Sequence, residues 1–249
     1  MTGSFITLAE AESLTGINQE AWKKRCQAKQ VEGAIKKGRV WLIPLASIGK
    51  EKPKAGVYID GSNIYCGGRD LGWKVNYAKL REFIERKYTI SIMSYYNCTG
   101  YLQDENGKYQ KDENGEYILD PGALKFENAL TGMGIRVISK PLKFILGDEK
   151  KPSNKTDGDL MIDALLEHSQ WDELLLFAGD CDYERLVKQI INMPKSVHIF
   201  SFNIRMSHEL RTLALQSPFV TYTKLEDLET IIKYEFPSNL TRKLKNNKT

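Results

Sequence analysis

The run Leu174–Ala178, LLLFA, followed at once by Gly179, Asp180, Cys181 and Asp182, sets the tightest limit on how this chain can fold. A short strand that is apolar at every position is buried on both faces. That is the signature of a parallel sheet with helices on either side. The rest of the chain keeps the same rhythm. GVYID, ISIMSYYN, IRVIS and SVHIFSF read as strands. NYAKLREFIERK, GALKFENALTGM, DLMIDALLEH, YERLVKQII and SHELRTLALQ read as the helices between and after them. Strands alternating with helices predict an α/β fold with a doubly wound, mainly parallel sheet.

The chain has 249 residues, 41% of them hydrophobic and 10% aromatic, enough for one such domain and a small appendage. No apolar run approaches the roughly 20 residues of a membrane span. The first residues, MTGSFITLAEAES, have neither a basic start nor an apolar stretch, so no signal peptide is read there. Cys26, Cys66, Cys98 and Cys181 are scattered without a CxxC pair, which argues for a reducing, cytoplasmic setting and against a zinc ribbon. His168, His198 and His208 stand apart, with no G-x-S-x-G partner for a hydrolase triad. No phosphate-binding G-x-x-x-x-G-K-[ST] loop occurs.

Charge divides the chain. Residues 1–54 carry ten Lys/Arg against five Asp/Glu, a balance of +5, so the remainder sums to −1 within a net +4. A second basic cluster, TRKLKNNKT, lies in the tail at 237–249. Such a basic piece suits a phosphate backbone, or is simply a solvated surface. Within it, Thr7 and Glu10 make a capping-box pattern and Gly16 can end a helix. Asn18 can cap a second helix, and VEGAIKKGRVWLIP turns back on itself at Lys37-Gly38 as a hairpin. These residues resemble the winged helix-turn-helix of the excisionase and MerR-type families. The resemblance makes Gln19 to Lys29 the recognition helix. It implies that Lys23, Lys24, Arg25 and Gln27 reach duplex DNA or structured nucleic acid, with Lys36, Lys37 and Arg39 on the wing. An adaptor with an ordinary basic face is the alternative. The expected division is a module at 1–49, a linker at 50–55 broken by Pro53, a sheet domain at 56–236 and the tail.

Near-repeats DENGKY and DENGEY, Asp104–Tyr109 and Asp112–Tyr117, predict a protruding hairpin. A twelve-residue calcium loop is not present there.

Acidic residues mark the strand ends. Asp60 ends the first strand of the sheet, before Gly61, Ser62 and Asn63. Asp180 and Asp182 follow LLLFA, and Asp157 opens a helix. Ligands of doubly wound sheets sit beyond the carboxyl ends of the strands. Carboxylates gathered there repel one another unless a cation neutralises them. Hard oxygen donors suit Mg²⁺ or Mn²⁺, which polarise a phosphate for in-line attack. Each acid also has a plainer reading: a turn at Asp60-Gly61, helix caps at Asp157 and Asp182. Asp159 and Asp163, four apart on one helix face, leave open which of them joins the site.

VYIDGSNIY, KTDGDLMIDALLE and LLLFAGDCDYERLV together resemble the NYN family of PIN-like nucleases over roughly Gly56 to Gln216. The resemblance implies an endoribonuclease with Mg²⁺ or Mn²⁺. Asp60 and Asp180 become central metal ligands, and Asp157 and Asp182 complete the shell. Asn63 orients a substrate phosphate, Asp163 serves as a further ligand or supports one, and Lys155 helps hold the phosphodiester. Ala178 stands where the family has Ser. Tyr183 replaces Phe, which reads as a packing change. RNA is then the substrate and no membrane partner is implied; homo-oligomerisation stays open. The rival is a non-enzymatic DNA-binding regulator that uses the PIN-like domain as a platform. A haloacid dehalogenase-type phosphatase needs an acid two residues after Asp60, where Ser62 stands.

Overall fold

The computed structural model describes residues 5–28, 31–48, 52–145, 148–153, 155–193 and 195–235. The basic tail at 237–249, the last residue of the expected module at 49 and the first two of the linker, 50 and 51, lie outside the described residues.

The basic N-terminal piece folds as β1 (Phe5–Thr7), α1 (Leu8–Thr15), α2 (Gln19–Gln27), β2 (Ile35–Lys37) and β3 (Val40–Pro44). Its start is fixed by the capping box. The Thr7 hydroxyl accepts from Glu10 N at 3.3 Å, and the Glu10 carboxylate accepts from Thr7 N at 2.7 Å. Asn18 Oδ1 caps α2 through Ala21 N at 2.8 Å. The strands form a three-stranded antiparallel sheet in the order β1-β3-β2. Its hairpin turns at Gly38-Arg39, one residue beyond the expected place, because Gly38 takes the left-handed φ of 60°.

The main domain begins at β4 (Lys54–Asp60), two residues before the expected boundary. It continues with α3 (Gly61–Leu71), α4 (Tyr77–Glu85), β5 (Thr89–Thr99), α5 (Pro121–Gly132) and β6 (Arg136–Pro141). The short pair β7 (Lys143–Ile145) and β8 (Asp148–Ser153) precedes α6 (Asp157–Leu166). Then come β9 (Glu173–Phe177), α7 (Glu184–Asn192), β10 (Ser196–Ser201), α8 (His208–Gln216), β11 (Val220–Lys224) and α9 (Glu229–Ile232). Six strands pair in the order β11-β10-β9-β4-β5-β6, every pairing parallel. Chain order runs outward in both directions from the β4/β9 pair, which is therefore the topological switch point.

Strand periodicity divides the core. Val57, Ile59, Leu175 and Phe177 pack on one face with Ile64, Leu80, Ile84 and Leu130. Tyr58, Leu174, Leu176 and Ala178 pack on the other with Leu160, Leu186, Val187 and Leu210. All eight strand residues are at most 1% exposed, which explains why LLLFA has no polar position. The expected five strands and five helices are all present, and α3, β7, β8, β11 and α9 add to them.

The acidic insertion is two tandem tight turns rather than one hairpin. Asp104 Oδ1 accepts from the backbone N–H of Asn106 and Lys108, each at 2.9 Å, and Asp112 Oδ1 does the same with Asn114 and Glu116. Gly107 and Gly115 complete the turns at φ 78° and 81°. These carboxylates satisfy turn backbone.

The two modules are packed together. Phe219, just before β11, joins Ala11, Ile17, Ala21, Trp22 and Ile43 in the N-terminal core. Lys24 Nζ lies 3.9 Å from the Phe219 ring centroid and donates to Ile191 O at 3.4 Å. Arg25, its side chain 15% exposed, pairs with Asp172 at 3.7 Å. Asp172 precedes β9 and Phe219 precedes β11, so the module sits at the amino ends of the strands, across the sheet from Asp60. The expectation that Lys24 and Arg25 reach DNA is corrected by these contacts. Both turn toward the sheet domain, where a half-buried Arg needs a carboxylate partner. Lys36, Lys37, Arg39 and Gln27 stay exposed, and Lys23 is half-buried beside Glu20 at 3.1 Å.

Candidate active site

Asp60 occupies the carboxyl end of β4 and is 3% exposed. It is also the N-cap of α3, its Oδ1 accepting from Asn63 N at 3.0 Å. The plainer reading of Asp60-Gly61 as a turn gives way to a helix cap, and that cap uses one oxygen only. The other, Oδ2, accepts from the Tyr183 hydroxyl at 3.0 Å, and the same hydroxyl lies 3.4 Å from Asp157 Oδ1. Asp157 is the first residue of α6, where the helix dipole favours an acid. The cap itself is Thr156, with no side-chain bond.

Two glycines allow this packing. A Cβ on Gly61 would lie 2.3 Å from Tyr95 Cζ. A Cβ on Gly179 would lie 2.2 Å from the backbone oxygen of Arg205, which cannot swing aside. Gly179 O also accepts from Ser207 N at 2.8 Å, holding the loop that carries Asp180 against the segment after β10.

The electrostatics follow from burial and crowding. Burial pushes the Asp60 carboxyl up to about 6, and repulsion from Asp157 and Asp180 adds to it. The Asn63 N–H and the Tyr183 hydroxyl pull the other way. Asp157 is raised by burial and by the Asp180 and Asp182 carboxylates, while Lys155 and Tyr183 oppose this. Asp180 and Asp182 are exposed, and Lys155 stands 3.8 Å from Asp182. Asn63 is 6% exposed, and its side-chain Oδ1 has no hydrogen-bond partner.

The four-carboxylate basket is not preassembled. Among the described residues, no three His, Cys, Asp or Glu side chains converge closely enough to hold a metal ion. The structure brings together Asp60, Asp157 and Tyr183, with Asp180 near enough to perturb both acids. Their donors are all hard oxygens, and Asn63 adds an unpartnered buried one. That set fits Mg²⁺ or Mn²⁺, since Mg²⁺ is commonly held by one or two carboxylates plus substrate phosphates and water.

Asp163 is not part of this group. Its carboxylate accepts from Tyr96 at 2.8 Å and pairs with Arg136 at 3.5 Å. Arg136 also binds Glu167 at 2.6 Å, and Glu167 accepts from Tyr58 at 2.7 Å. Asp163 therefore ties α6 to the sheet, and the metal role expected for it is withdrawn. Asp159 pairs with Lys140. Tyr183 is the residue whose part the sequence hid. It reads as packing in place of Phe, yet its hydroxyl joins buried Asp60 to half-buried Asp157. The signal available was its place directly after Asp180-Cys181-Asp182.

Comparison with known proteins agrees with this architecture. The chain is 24% identical over 184 residues to the low amplitude and bright protein LabA of Synechococcus elongatus, an alignment covering 71% of this chain and 86% of LabA. A solved structure of a protein of unknown function from Vibrio parahaemolyticus superposes with a TM-score of 0.55 at 18% identity, covering 75% of this chain and 99% of that one. The six-stranded parallel sheet with helices on both faces fits a PIN-like fold. Residues 54–218, from the first strand of the sheet into the loop after α8, match the NYN domain, and the chain belongs to the NYN domain family.

Proposed function

We propose that this protein is a divalent-metal-dependent endoribonuclease, with an N-terminal winged helix-turn-helix that brings it to nucleic acid. The nuclease class rests on membership of the NYN family. The observation that carries the site is the pair of crowded carboxylates, Asp60 and Asp157, at the β4/β9 switch point, with their ordinary acidity suppressed. Two such groups sharing one hydroxyl stay together at a cost in repulsion. A cation is the chemical means of relieving it.

A divalent cation held by Asp60 and Asp157, with Asp180 and Asp182 at the rim, would supply Lewis-acid polarisation of a phosphodiester. The chain's own groups do the rest. Asn63, three residues after Asp60 and with its side-chain Oδ1 unpartnered, can orient a phosphate oxygen through its amide N–H. Lys155 brings positive charge to the rim, where a bound phosphate would compete with Asp182 for it. Tyr183 keeps Asp60 ionisable by donating to it.

In the N-terminal module, two helices followed by a hairpin support the winged helix-turn-helix reading. Its nucleic-acid face is then Lys23, Gln27, Lys36, Lys37 and Arg39, without Lys24 and Arg25.

Purified protein should cut RNA with Mg²⁺ or Mn²⁺ and stop with EDTA. Asp60→Asn or Asp180→Asn should lower the rate by at least about a hundredfold. A well-folded double variant that cuts as fast as the parent would end this reading.

A further inference from the structure

A cavity of about 480 Å³ opens beside the acids, between α3 and the start of α4, and is lined by Tyr65, Arg69, Trp73, Tyr77, Tyr95 and Phe126 among others. Neither the capping of α3 nor the acid pair accounts for it. Two of its lining residues, Tyr95 and Gly68, tie it to the elements that carry the site. Tyr95 packs so tightly under Gly61, the residue after Asp60, that no side chain fits there. Gly68, also in the lining, is five residues beyond Asn63 on the same helix, which is about 7.5 Å along its axis.

The walls are aromatic in a particular way. Tyr77, Tyr95 and Phe126 meet at centroid separations of 5.3, 5.8 and 5.7 Å, two of the contacts edge-on and one tilted. The mouth is open. Tyr65 is 57% exposed, and Phe126, although it packs on Tyr77 and Tyr95, is still 39% exposed. Arg69 stands beside them with its side chain 61% exposed, pairing with Asp70 at 3.2 Å.

We propose that this cavity takes one unpaired base of a single-stranded RNA whose neighbouring phosphodiester lies at Asp60 and Asn63. The proposal rests on the nuclease reading for that phosphodiester. A flat base needs ring faces to stack on, and Tyr65 and Phe126 offer exposed ones at the mouth. Its phosphate needs a cation nearby, and Arg69 stands at the rim. An apolar side chain of a protein partner would fill the cavity equally well. It would make no use of the exposed Arg69 guanidinium, and it does not account for a wall, Tyr95, that packs against Gly61 next to Asp60. A base in a duplex cannot enter, so the cavity selects single strands and fixes which bond reaches the acids.

The test is binding of the full chain to fluorescent hexanucleotides in EDTA, where nothing is cut. Three probes suffice: rA₆, the same oligomer with abasic positions, and AMP. The parent protein should bind rA₆ at least about tenfold more tightly than the abasic oligomer, since each stacked base contributes on that scale. Tyr65→Ala and Phe126→Ala should each erase most of that difference, and Tyr65→Trp should restore it. Tyr65 is exposed enough that its replacement leaves the fold intact, which circular dichroism checks. AMP should bind weakly, because it lacks the phosphodiester partner. Equal binding of rA₆ and the abasic oligomer, no binding of either, or AMP binding as tightly as rA₆ would overturn the proposal. Base-dependent binding that survives in Asp60→Asn, in a parent chain that cuts no RNA, would uphold the cavity and remove the nuclease reading instead.

Discussion

Tyr183 donates its hydroxyl to Asp60 Oδ2 across 3.0 Å, inside a core where the tyrosine ring is fully buried. A phenylalanine would fill the same space without the donor. The hydroxyl therefore tunes the acid, and its effect is separable from packing. Burial raises Asp60 to about 6, and the Tyr183 bond is among the few influences lowering it.

Tyr183→Phe should consequently move the acidic limb of the kcat/KM profile to higher pH, by about one unit, the scale of a hydrogen bond to a charged group. The ring volume is kept, so no cavity forms, and the stability lost above pH 7 should be about 1.4 kcal/mol, the free-energy equivalent of that shift. A limb that stays in place would show that Asp60 is not the group titrating there.

The same raised acid bears on stability. Asp60 holds its proton more tightly folded, at about 6, than at the ordinary 3.8. Its contribution is therefore favourable below pH 3.8 and lost as pH rises through 6. In EDTA, Asp60→Asn should raise the melting temperature at pH 8, by a free energy on the order of 2–3 kcal/mol. The gain should vanish below about pH 4, where the parent carboxyl is protonated in both states. Adding Mn²⁺ at pH 8 should stabilise the parent and leave Asp60→Asn unmoved. Equal stabilisation of both would place the cation elsewhere.

Asp163 and Asp157 share α6 and should behave oppositely. Asp163 is held by Tyr96 and Arg136, away from the paired acids. Asp163→Asn keeps an acceptor for Tyr96 and loses an ion pair that is partly exposed, worth at most about 1 kcal/mol. Its RNA cleavage rate should stay within about threefold of the parent. Asp157→Asn should fall by about a hundredfold. Comparable losses in both would return Asp163 to the site.

The sheet was legible because its strands are buried on both faces, and burial of that kind writes itself as unbroken apolar runs such as LLLFA. The place of Asp60 and Asp180 at the carboxyl edge was legible because each closely follows an apolar strand run. Helix α3 was harder. Its sequence, GSNIYCGGRDL, holds three glycines, two of them where Phe202 and the Trp73 backbone crowd in. Tertiary contact overrode poor helix propensity there. Asp163 misled because i and i+4 spacing names a helix face without naming what that face meets. Lys24 and Arg25 misled for a related reason. A basic helix looks the same in sequence whether its charges meet phosphate or a carboxylate of the neighbouring domain, and Asp172 lies 147 positions from Arg25.

That contact supplies the last prediction. A chain beginning at Lys52 keeps every strand of the parallel sheet and all of Asp60, Asp157, Asp180 and Asp182. It should fold and bind Mn²⁺. It should not be as stable as the full chain, because Phe219, 7% exposed, loses its cover from Trp22 and Ile43, and Asp172 loses Arg25. Uncovering one phenylalanine costs about 1.5–3 kcal/mol, and the Arg25–Asp172 pair adds little because truncation removes the charge whose burial it offset. Chemical denaturation should show a loss of that size, and Phe219→Ser in the truncated chain should recover solubility without further loss. Generic RNA cleavage should persist, since the module packs at the amino ends of the strands and the acids stand at the carboxyl ends. Truncation that abolishes cleavage in a folded, Mn²⁺-binding protein would mean that the N-terminal module supplies a group to the reaction across the sheet.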